Sequence, residues 1–314
     1  MQQLPTKEVA FFFGTSKTSI NRWMEKYGLK NEEGLTTKKG NTSVHSPTCL
    51  RRLIAGRKED FLPRNKIISF ANLKGGVGKT TTCVHTGKTL AALGIKTLII
   101  DADKQANATS SLIGAPGAHC LLDVIKGVVP IKQAILNVDE NLDLLPSNLM
   151  NARLDSETNN PALNITKYIK TFLQELDYEY ILIDTEPSLS RINSFIIGAS
   201  DLVVAPVLLD EYSITGLRLI NDTINSINQN FSASVTVRSL VNRYDNRMTS
   251  SLDILTDLKE TGVRPFVSII KTSTDYTKAQ ASGDIPVSSN AKRDFLKFAA
   301  ELIGIEPENP EMIQ

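Results

Sequence analysis

A chain of 314 residues, 41% of them apolar, can bury a sizeable core and hold one large domain plus a small one. No apolar run approaches the ~18–20 residues a membrane span needs, and the start "MQQLPTKEVAFFF" lacks the basic region and long apolar core of a secretory signal, so the expectation is a cytoplasmic protein. The net charge of +1 hides an asymmetry: residues 1–66 carry 13 basic and 6 acidic side chains, a net of +7, and the remainder carries −6.

A basic head on a mildly acidic body suits contact with a polyanion, although charge alone fits a solvated linker face equally well. Within the head, Thr6 is placed to cap a helix that turns Val9, Ala10 and Phe13 inward. Gly14-Thr15-Ser16 makes a turn. A second helix, roughly Lys17 to Tyr27, then sets Ile20, Trp23, Met24 and Tyr27 on one face at helical spacing. Its opposite face offers Lys17, Thr18, Asn21, Arg22 and Lys26, donors suited to phosphates and base edges. Helix, glycine turn and polar-faced helix is the helix-turn-helix plan, and the pattern resembles the MerR-like variety. A small structural helical hairpin is the alternative; the basic excess favours DNA. Residues 30–45 are polar and read as a wing or linker. Ser46 and Pro47 open a further helix. The sequence places a domain boundary near residue 63, giving a head of residues 1–63 and a body of residues 64–314.

Beyond it strands and helices alternate. Strand-like runs are Lys66–Ala71, Thr97–Ile100, Leu142–Leu145, Tyr180–Ile183, Leu202–Pro206, Thr236–Val241 and Phe266–Ile270. Helical stretches include Thr80–Leu93, Ile165–Glu175, Ile214–Asn228, Ser251–Glu260 and, last, about Ala291–Ile303. Continuous apolar strands separated by helices predict an α/β fold, a mainly parallel sheet flanked by helices on both faces. Such sheets bind ligands at the carboxyl ends of their strands. Three cysteines, Cys49, Cys83 and Cys120, fit no metal-ligand spacing and read as buried or idle thiols.

The candidate chemistry lies at those strand ends. "ANLKGGVGKTTT" follows the first body strand and opens a helix, the context in which a P-loop pattern carries weight. Gly75, Gly76 and Gly78 let backbone N–H groups wrap phosphates, with Val77 between them. Lys79 is placed for the β- and γ-phosphates, Thr80 for Mg²⁺ and Thr81 for the α-phosphate. Two further strands end in acids. "TLIIDADKQ" supplies Asp101 and Asp103, and "YILIDTEPSL" supplies Asp184, which matches a Walker B carboxylate. Asp101 reads as a metal contact or as a helix cap.

Together "KGGVGKTT", "IIDADKQANATS" and "YILIDTEPSL" resemble the deviant Walker A ATPases of the ParA/MinD group, ParA most, over about residues 66–305. The resemblance gives the second lysine, Lys74, its meaning: in that group the signature lysine reaches across an ATP-sandwich dimer to the phosphates of the other subunit. It implies a Mg²⁺-dependent ATPase for DNA segregation, with Lys74, Lys79 and Asp103 in hydrolysis, Asp103 orienting the attacking water, and Gly75 kept small so that two subunits can meet. It also implies that "PVLLDEYSITGL", with Pro206, lines the nucleotide and dimer interface, and that "LVNRYDNRM", with Asn242, meets the adenine. The implied partners are a second copy, a centromere-binding protein of the ParB type, non-specific nucleoid DNA and, through the head, the operator of its own operon, as in plasmid systems. Where the family often has Pro-Pro this chain has Glu186-Pro187. The segment "IIKTSTDYTKAQASG" offers Lys271 and Lys278 where arginines are common, so a DNA face on the body would draw on Arg218, Arg238, Arg243, Arg247, Lys271, Lys278, Lys292, Arg293 and Lys297. A MinD-like membrane role is disfavoured by the acidic, proline-broken tail "GIEPENPEMIQ". A ParA relative that positions another cargo stays open, the head arguing against it. A nitrogenase-type iron protein would need a second suitable cysteine after Cys120.

Overall fold

The computed structural model describes residues 3–30, 32–57, 65–157, 165–231, 233–245, 258, 260–276 and 289–305. The head comprises β1 (Leu4–Pro5), α1 (Thr6–Phe12), α2 (Lys17–Lys26), β2 (Thr36–Lys39), β3 (Thr42–His45) and α3 (Pro47–Arg57). Ser16 starts α2, its Oγ accepting from the Ser19 amide at 3.1 Å. Thr6 does not cap α1. Pro5 holds that position, and the Thr6 hydroxyl instead donates to the Ser43 carbonyl and meets His45 Nε2 at 2.9 Å, tying the helix to a hairpin. That hairpin is the polar stretch before residue 46: β2 and β3 pair antiparallel around Gly40, with β1 on the outer side of β3. Ser46 starts α3, as the sequence predicts, by accepting from the Cys49 amide.

The body comprises β4 (Lys66–Phe70), α4 (Lys79–Ala92), β5 (Thr97–Asp101), α5 (Asn107–Ile113), α6 (Leu121–Ile125), α7 (Ile131–Ala134), β6 (Leu136–Asp139), β7 (Leu142–Leu145), α8 (Leu154–Glu157), α9 (Ile165–Gln174), β8 (Tyr180–Asp184), α10 (Arg191–Ala199), β9 (Leu202–Val207), α11 (Glu211–Phe231), β10 (Thr236–Val241), β11 (Arg264–Pro265) and α12 (Ser289–Leu302). Its eight-stranded sheet runs β11-β10-β9-β4-β8-β5-β7-β6 and is parallel except where β6 meets β7. Side chains alternate between two buried faces. Ile68, Phe70, Ile99, Leu144 and Leu182 join one apolar cluster, while Ile67, Leu98, Ile100, Ile181 and Ile183 join another on the opposite side. Both faces are therefore dry, which is why these strands read as unbroken apolar runs.

One strand expectation fails. Phe266–Ile270 is not a strand: the Phe266 and Ile270 amides reach β10, but Val267 and Ser268 between them donate to the Glu301 carboxylate, each at 2.9 Å. A side chain takes the bonds a ladder would have used, and Val267 is left 89% exposed. The helix over Ser251–Glu260 falls largely outside the described residues, as do the boundary near residue 63, Arg247, Lys278 and the acidic tail.

The head is packed onto the body. Phe12, Trp23, Leu53 and Ile54 share one apolar cluster with Ile68, Leu90, Leu182 and Phe298. Lys292 Nζ on α12 lies 2.9 Å from Glu8 Oε2 on α1, and the Arg293 guanidinium sits 4.9 Å above the Phe11 ring. On α3, Arg51 donates to the Gly94 carbonyl and pairs with Glu179. All three cysteines are buried and unpaired, as expected from the sequence.

Candidate nucleotide-binding site

The strand β4 delivers the chain into a loop, residues 71–78, that turns directly into α4. Gly76 and Gly78 adopt φ of 75° and 91°, values that only glycine takes without strain. The loop is pinned from outside. Asn72 Nδ2 donates to the Pro206 carbonyl at 2.7 Å, and Asn72 Oδ1 accepts from the Lys74 amide at 3.0 Å. From the other side Asn242 Nδ2 donates to the Val77 carbonyl at 2.7 Å. Thus Pro206, placed in the nucleotide interface by its segment, acts through Asn72. It stands beyond Phe70↔Val204, the last β4–β9 pair, so the sheet asks no hydrogen bond of its nitrogen on that side. The Asn242 amide, expected at the adenine, holds the P-loop.

Against the start of α4 lies a cleft of about 310 Å³, lined by Gly75, Gly76, Gly78, Lys79, Thr80, Thr81, Asp103, Gln105, Asn107, Pro187 and Arg243. The helix N-terminus and the loop amides aim partial positive charge at it. Lys79 is only 7% exposed. Burial lowers its pKa, and the Asp184, Asp103 and Glu186 carboxylates pull it back up. A second cavity of about 390 Å³ adjoins it, walled by Gly78, Thr81, Thr82 and Asn242 on one side and by Tyr276 and Phe295 on the other.

The two strand-end aspartates have different jobs. Asp101, read as a metal contact or a cap, has both oxygens committed: Oδ2 accepts from the Thr109 amide and hydroxyl at 2.8 and 2.7 Å, and Oδ1 from the Asp103 amide at 3.1 Å. Burial raises its pKa to about 6 despite those bonds. It therefore clamps the Asp103 turn and α5. Asp184 is the reverse: fully buried, with neither oxygen in a hydrogen bond of good geometry and the Thr80 hydroxyl the nearest donor. Burial, then the neighbouring Asp101, drives its pKa well up, with Thr80 and Lys79 pulling the other way. A buried carboxylate so poorly satisfied is poised for a cation. Among the described residues no group of three or more His, Cys, Asp or Glu side chains could cage a metal alone. One carboxylate and one threonine hydroxyl suit Mg²⁺, which arrives with phosphates and keeps several waters. Asp103 lines the cleft, its Oδ1 accepting from the Gln105 amide.

Lys74 points elsewhere. Its Nζ binds Asp210 Oδ2 at 2.6 Å and lies 5.9 Å from the Tyr212 ring, which is itself 81% exposed. It does not line the cleft that Lys79 serves. Asp210 was missed in the sequence because its partner lies 136 positions away; its place in "PVLLDEYSITGL" was the one available signal. Also missed was the pair between Lys104 Nζ and Glu186 Oε2, 3.0 Å apart. The Glu186 bond raises the Lys104 pKa. In the head, Lys17, Thr18, Asn21, Arg22 and Lys26 are all exposed on α2, opposite buried Ile20, Trp23 and Met24. The proposed basic set of the body shrinks. Arg238 is paired with Glu301, Lys292 with Glu8, and Arg293 and Lys297 sit over Phe11, which leaves Arg218, Arg243 and Lys271 exposed among the described residues.

A parallel sheet, a glycine loop running into a helix whose first residue is a buried lysine, and an unpaired aspartate on the neighbouring strand define a P-loop nucleotide-binding protein. The AAA_31 family model, an AAA domain, matches residues 65–237. The chain belongs to that family and is a ParA/MinD-type ATPase. It is 32% identical over 203 residues to the sporulation initiation inhibitor protein Soj of Bacillus subtilis, covering 62% of this chain and 79% of Soj. It is 28% identical to the chromosome partitioning protein ParA of Caulobacter vibrioides, over 77% of this chain and 95% of that one. Among solved structures, the ATP complex of a Cyanothece McdA variant superposes with a TM-score of 0.70 at 25% identity, over 77% of this chain and 97% of that one. A plasmid partition protein of Borrelia burgdorferi bound to AMPPNP gives 0.63 at 26%, over 76% and 98%. Cobyrinic acid a,c-diamide synthase of Mycobacterium smegmatis, with an ATP analogue and magnesium, gives 0.68 at 26%, over 76% and 94%.

Proposed function

We propose that this chain is a Mg²⁺-dependent ATPase of a DNA-partition system, in which ATP joins two copies into a dimer that binds nucleoid DNA non-specifically. The observation that carries the reading is the pair of lysines. Lys79 serves the chain's own cleft, whereas Lys74 sits outside it, held by Asp210 beside exposed Tyr212. A cation kept at the rim is available to the phosphates of a second copy, and one that arrives only on assembly ties hydrolysis to dimer formation. Exposed Gly75 agrees: a Cβ there would meet nothing within 4 Å of this chain, so the demand for glycine comes from outside it. The names of the relatives, a chromosome partitioning protein and a plasmid partition protein, point to the same use.

Within each site Lys79 neutralises phosphate, Thr80 and Asp184 hold the cation, and Asp103 orients water. Bound Mg²⁺ supplies charge neutralisation at the β- and γ-phosphates. A centromere-bound partner of the ParB type stimulates hydrolysis and releases the dimer from DNA. The head, with the exposed donors of α2 and the β2–β3 hairpin beside it, binds operator DNA and represses its own operon. No helix among the described residues is long and apolar enough to cross a membrane, and the working place proposed is the cytoplasm, on nucleoid DNA. Cobyrinic acid a,c-diamide synthase shares the fold, so the fold alone does not assign partition; the two lysines and the exposed donors of the head favour it. The test is ATP turnover and binding to non-specific duplex with ATP, ADP or no nucleotide, for the native chain and Lys74→Ala. DNA binding that requires ATP and is lost in Lys74→Ala supports the partition switch. Nucleotide-independent binding, unchanged by Lys74→Ala and confined to the first 63 residues, refutes it.

A further inference from the structure

Two loops wall the phosphate cleft, and a single ion pair joins them. One loop follows β5 and carries Asp103; the other follows β8 and carries Pro187. The acid end of the pair is firmly seated. The Glu186 side chain is 14% exposed, its Oε1 accepts from Ser188 Oγ at 2.7 Å, and its carbonyl accepts from Asn193 Nδ2 at 3.0 Å. The same amide also donates to the Ser188 carbonyl at 2.8 Å, so the turn after Asp184 is closed on itself.

The facing turn is strained. Ala106 adopts φ of 54°, in the left-handed region that a β-carbon disfavours. Such a turn persists only where its surroundings hold it. Ser147 Oγ grips the Asp103 carbonyl from one side at 2.6 Å. The turn closes on itself through the Gln105 amide on Asp103 Oδ1 and the Ala106 amide on the Asp103 carbonyl, and it is tied to the loop after β8 by Lys104, whose Nζ lies 3.0 Å from Glu186 Oε2.

We propose that Lys104 and Glu186 form a clasp that positions Asp103 for hydrolysis, by tying the strained Asp103–Ala106 turn to the closed turn after Asp184. This rests on the reading of the chain as an ATPase in which Asp103 orients water. Neither member of the clasp is a catalytic residue; both act through Asp103. Lys104→Met frees the turn without removing any group that acts on Lys79, Thr80 or the loop amides, so nucleotide affinity is spared and turnover is not. Glu186→Gln in addition removes an acid that acts on Lys79, so the affinity criterion is read from Lys104→Met.

The experiment compares Lys104→Met, Glu186→Gln and the double variant with the native chain. It measures kcat and KM with Mg·ATP, affinity for a fluorescent ATP analogue, and hydrogen exchange of the Gln105 and Ala106 amides without nucleotide. Expected are a fall of about tenfold in kcat in each single variant, affinity within about twofold in Lys104→Met, and exchange about tenfold faster. The double variant falls no further than either single one, because the two residues act as a unit. Native kcat in a single variant, a double loss near a hundredfold, or unchanged exchange overturns the clasp. Should Glu186→Gln fail to fold, Lys104→Met, an exposed side chain, carries the test alone. A native chain without ATPase activity refutes the functional reading, and the exchange measurement then still decides the clasp.

Discussion

Two glycines three positions apart make opposite demands. Gly78 stands at the N-terminus of α4 with φ of 91°, and a β-carbon there would fall 2.2 Å from Asn242 Nδ2. In Gly78→Ala the Asn242 amide must move, breaking its 2.7 Å bond to the Val77 carbonyl at a residue only 5% exposed. A buried hydrogen bond lost in this way costs about 1–3 kcal/mol, and the left-handed backbone adds about 1–2 kcal/mol. The sum, about 2–5 kcal/mol, is a large part of the ~5–15 kcal/mol that holds a typical domain folded. At about 2–4 °C per kcal/mol, the denaturation midpoint falls by roughly 4–20 °C. Gly75 is exposed, outside the left-handed region, with open space where its Cβ would be. Gly75→Val therefore changes stability by no more than about 0.5 kcal/mol, but puts a branched side chain where a second copy must approach. Calorimetry of both variants without nucleotide, and sedimentation of Gly75→Val with Mg·ATP, test this. Early unfolding of Gly75→Val, or its normal nucleotide-driven dimerisation, refutes the assignment of that glycine to the interface. Native stability in Gly78→Ala refutes the steric argument.

Asp184→Asn removes a buried carboxylate that has no hydrogen bond of good geometry, only the Thr80 hydroxyl nearby, and faces Asp101. Calorimetry should find the nucleotide-free protein at least as stable as native, while titration finds Mg²⁺-dependent nucleotide affinity reduced about tenfold or more; lowered stability would contradict the unpaired carboxylate. His85, buried on α4 between Tyr276 and Phe295, has its pKa lowered to about 3, first by burial and then by Lys88. The unfolded chain takes up that proton below the ordinary histidine value of 6.5 and the native one does not, so stability is intact above pH 6.5 and is lost as pH falls. From pH 8 to pH 5 the loss is about 2 kcal/mol. His85→Gln should show a correspondingly smaller loss in urea denaturation, and an identical pH dependence would exclude His85 as its source. Removing residues 1–57 uncovers the apolar surface under α1 and α3, so the remaining chain should unfold earlier and bind a hydrophobic dye; a soluble fragment of native stability would show the head to be dispensable to the core.

The phosphate site was legible because its signals are local. Three glycines and a lysine must lie between one strand and one helix, and each is within a few positions of the next. The division of labour between Asp101 and Asp184 was not legible, because both end an apolar strand and the difference is made elsewhere. Thr109, which satisfies Asp101, belongs to α5, a seven-residue helix with no periodic pattern strong enough to predict. The same holds for Asp210, Glu186 and Asn72. Each acts by meeting a partner from another loop, and the strand order that brings these loops together is a property of the whole sheet. Phe266–Ile270 has strand composition, yet Glu301 on α12 takes two of its amides.

The head shows why a boundary in charge is not a boundary in the core. The contrast of +7 against −6 is real, but charge is carried by surface residues and says nothing about what lies beneath. In α1, Phe12 turns toward the head's own Phe13, at 4.9 Å, while Phe11 is covered by Arg293 and Lys297 of α12. A helix of seven residues with apolar groups on both sides must be packed from both sides. The pattern was present in "EVAFFF"; what it lacked was the identity of the second surface. That surface is α12, whose Phe295 walls the cavity beside Gly78 while its Lys292 holds Glu8. One helix thus serves both the nucleotide cavity and the head, so the head cannot be repositioned without disturbing a contact that α12 makes.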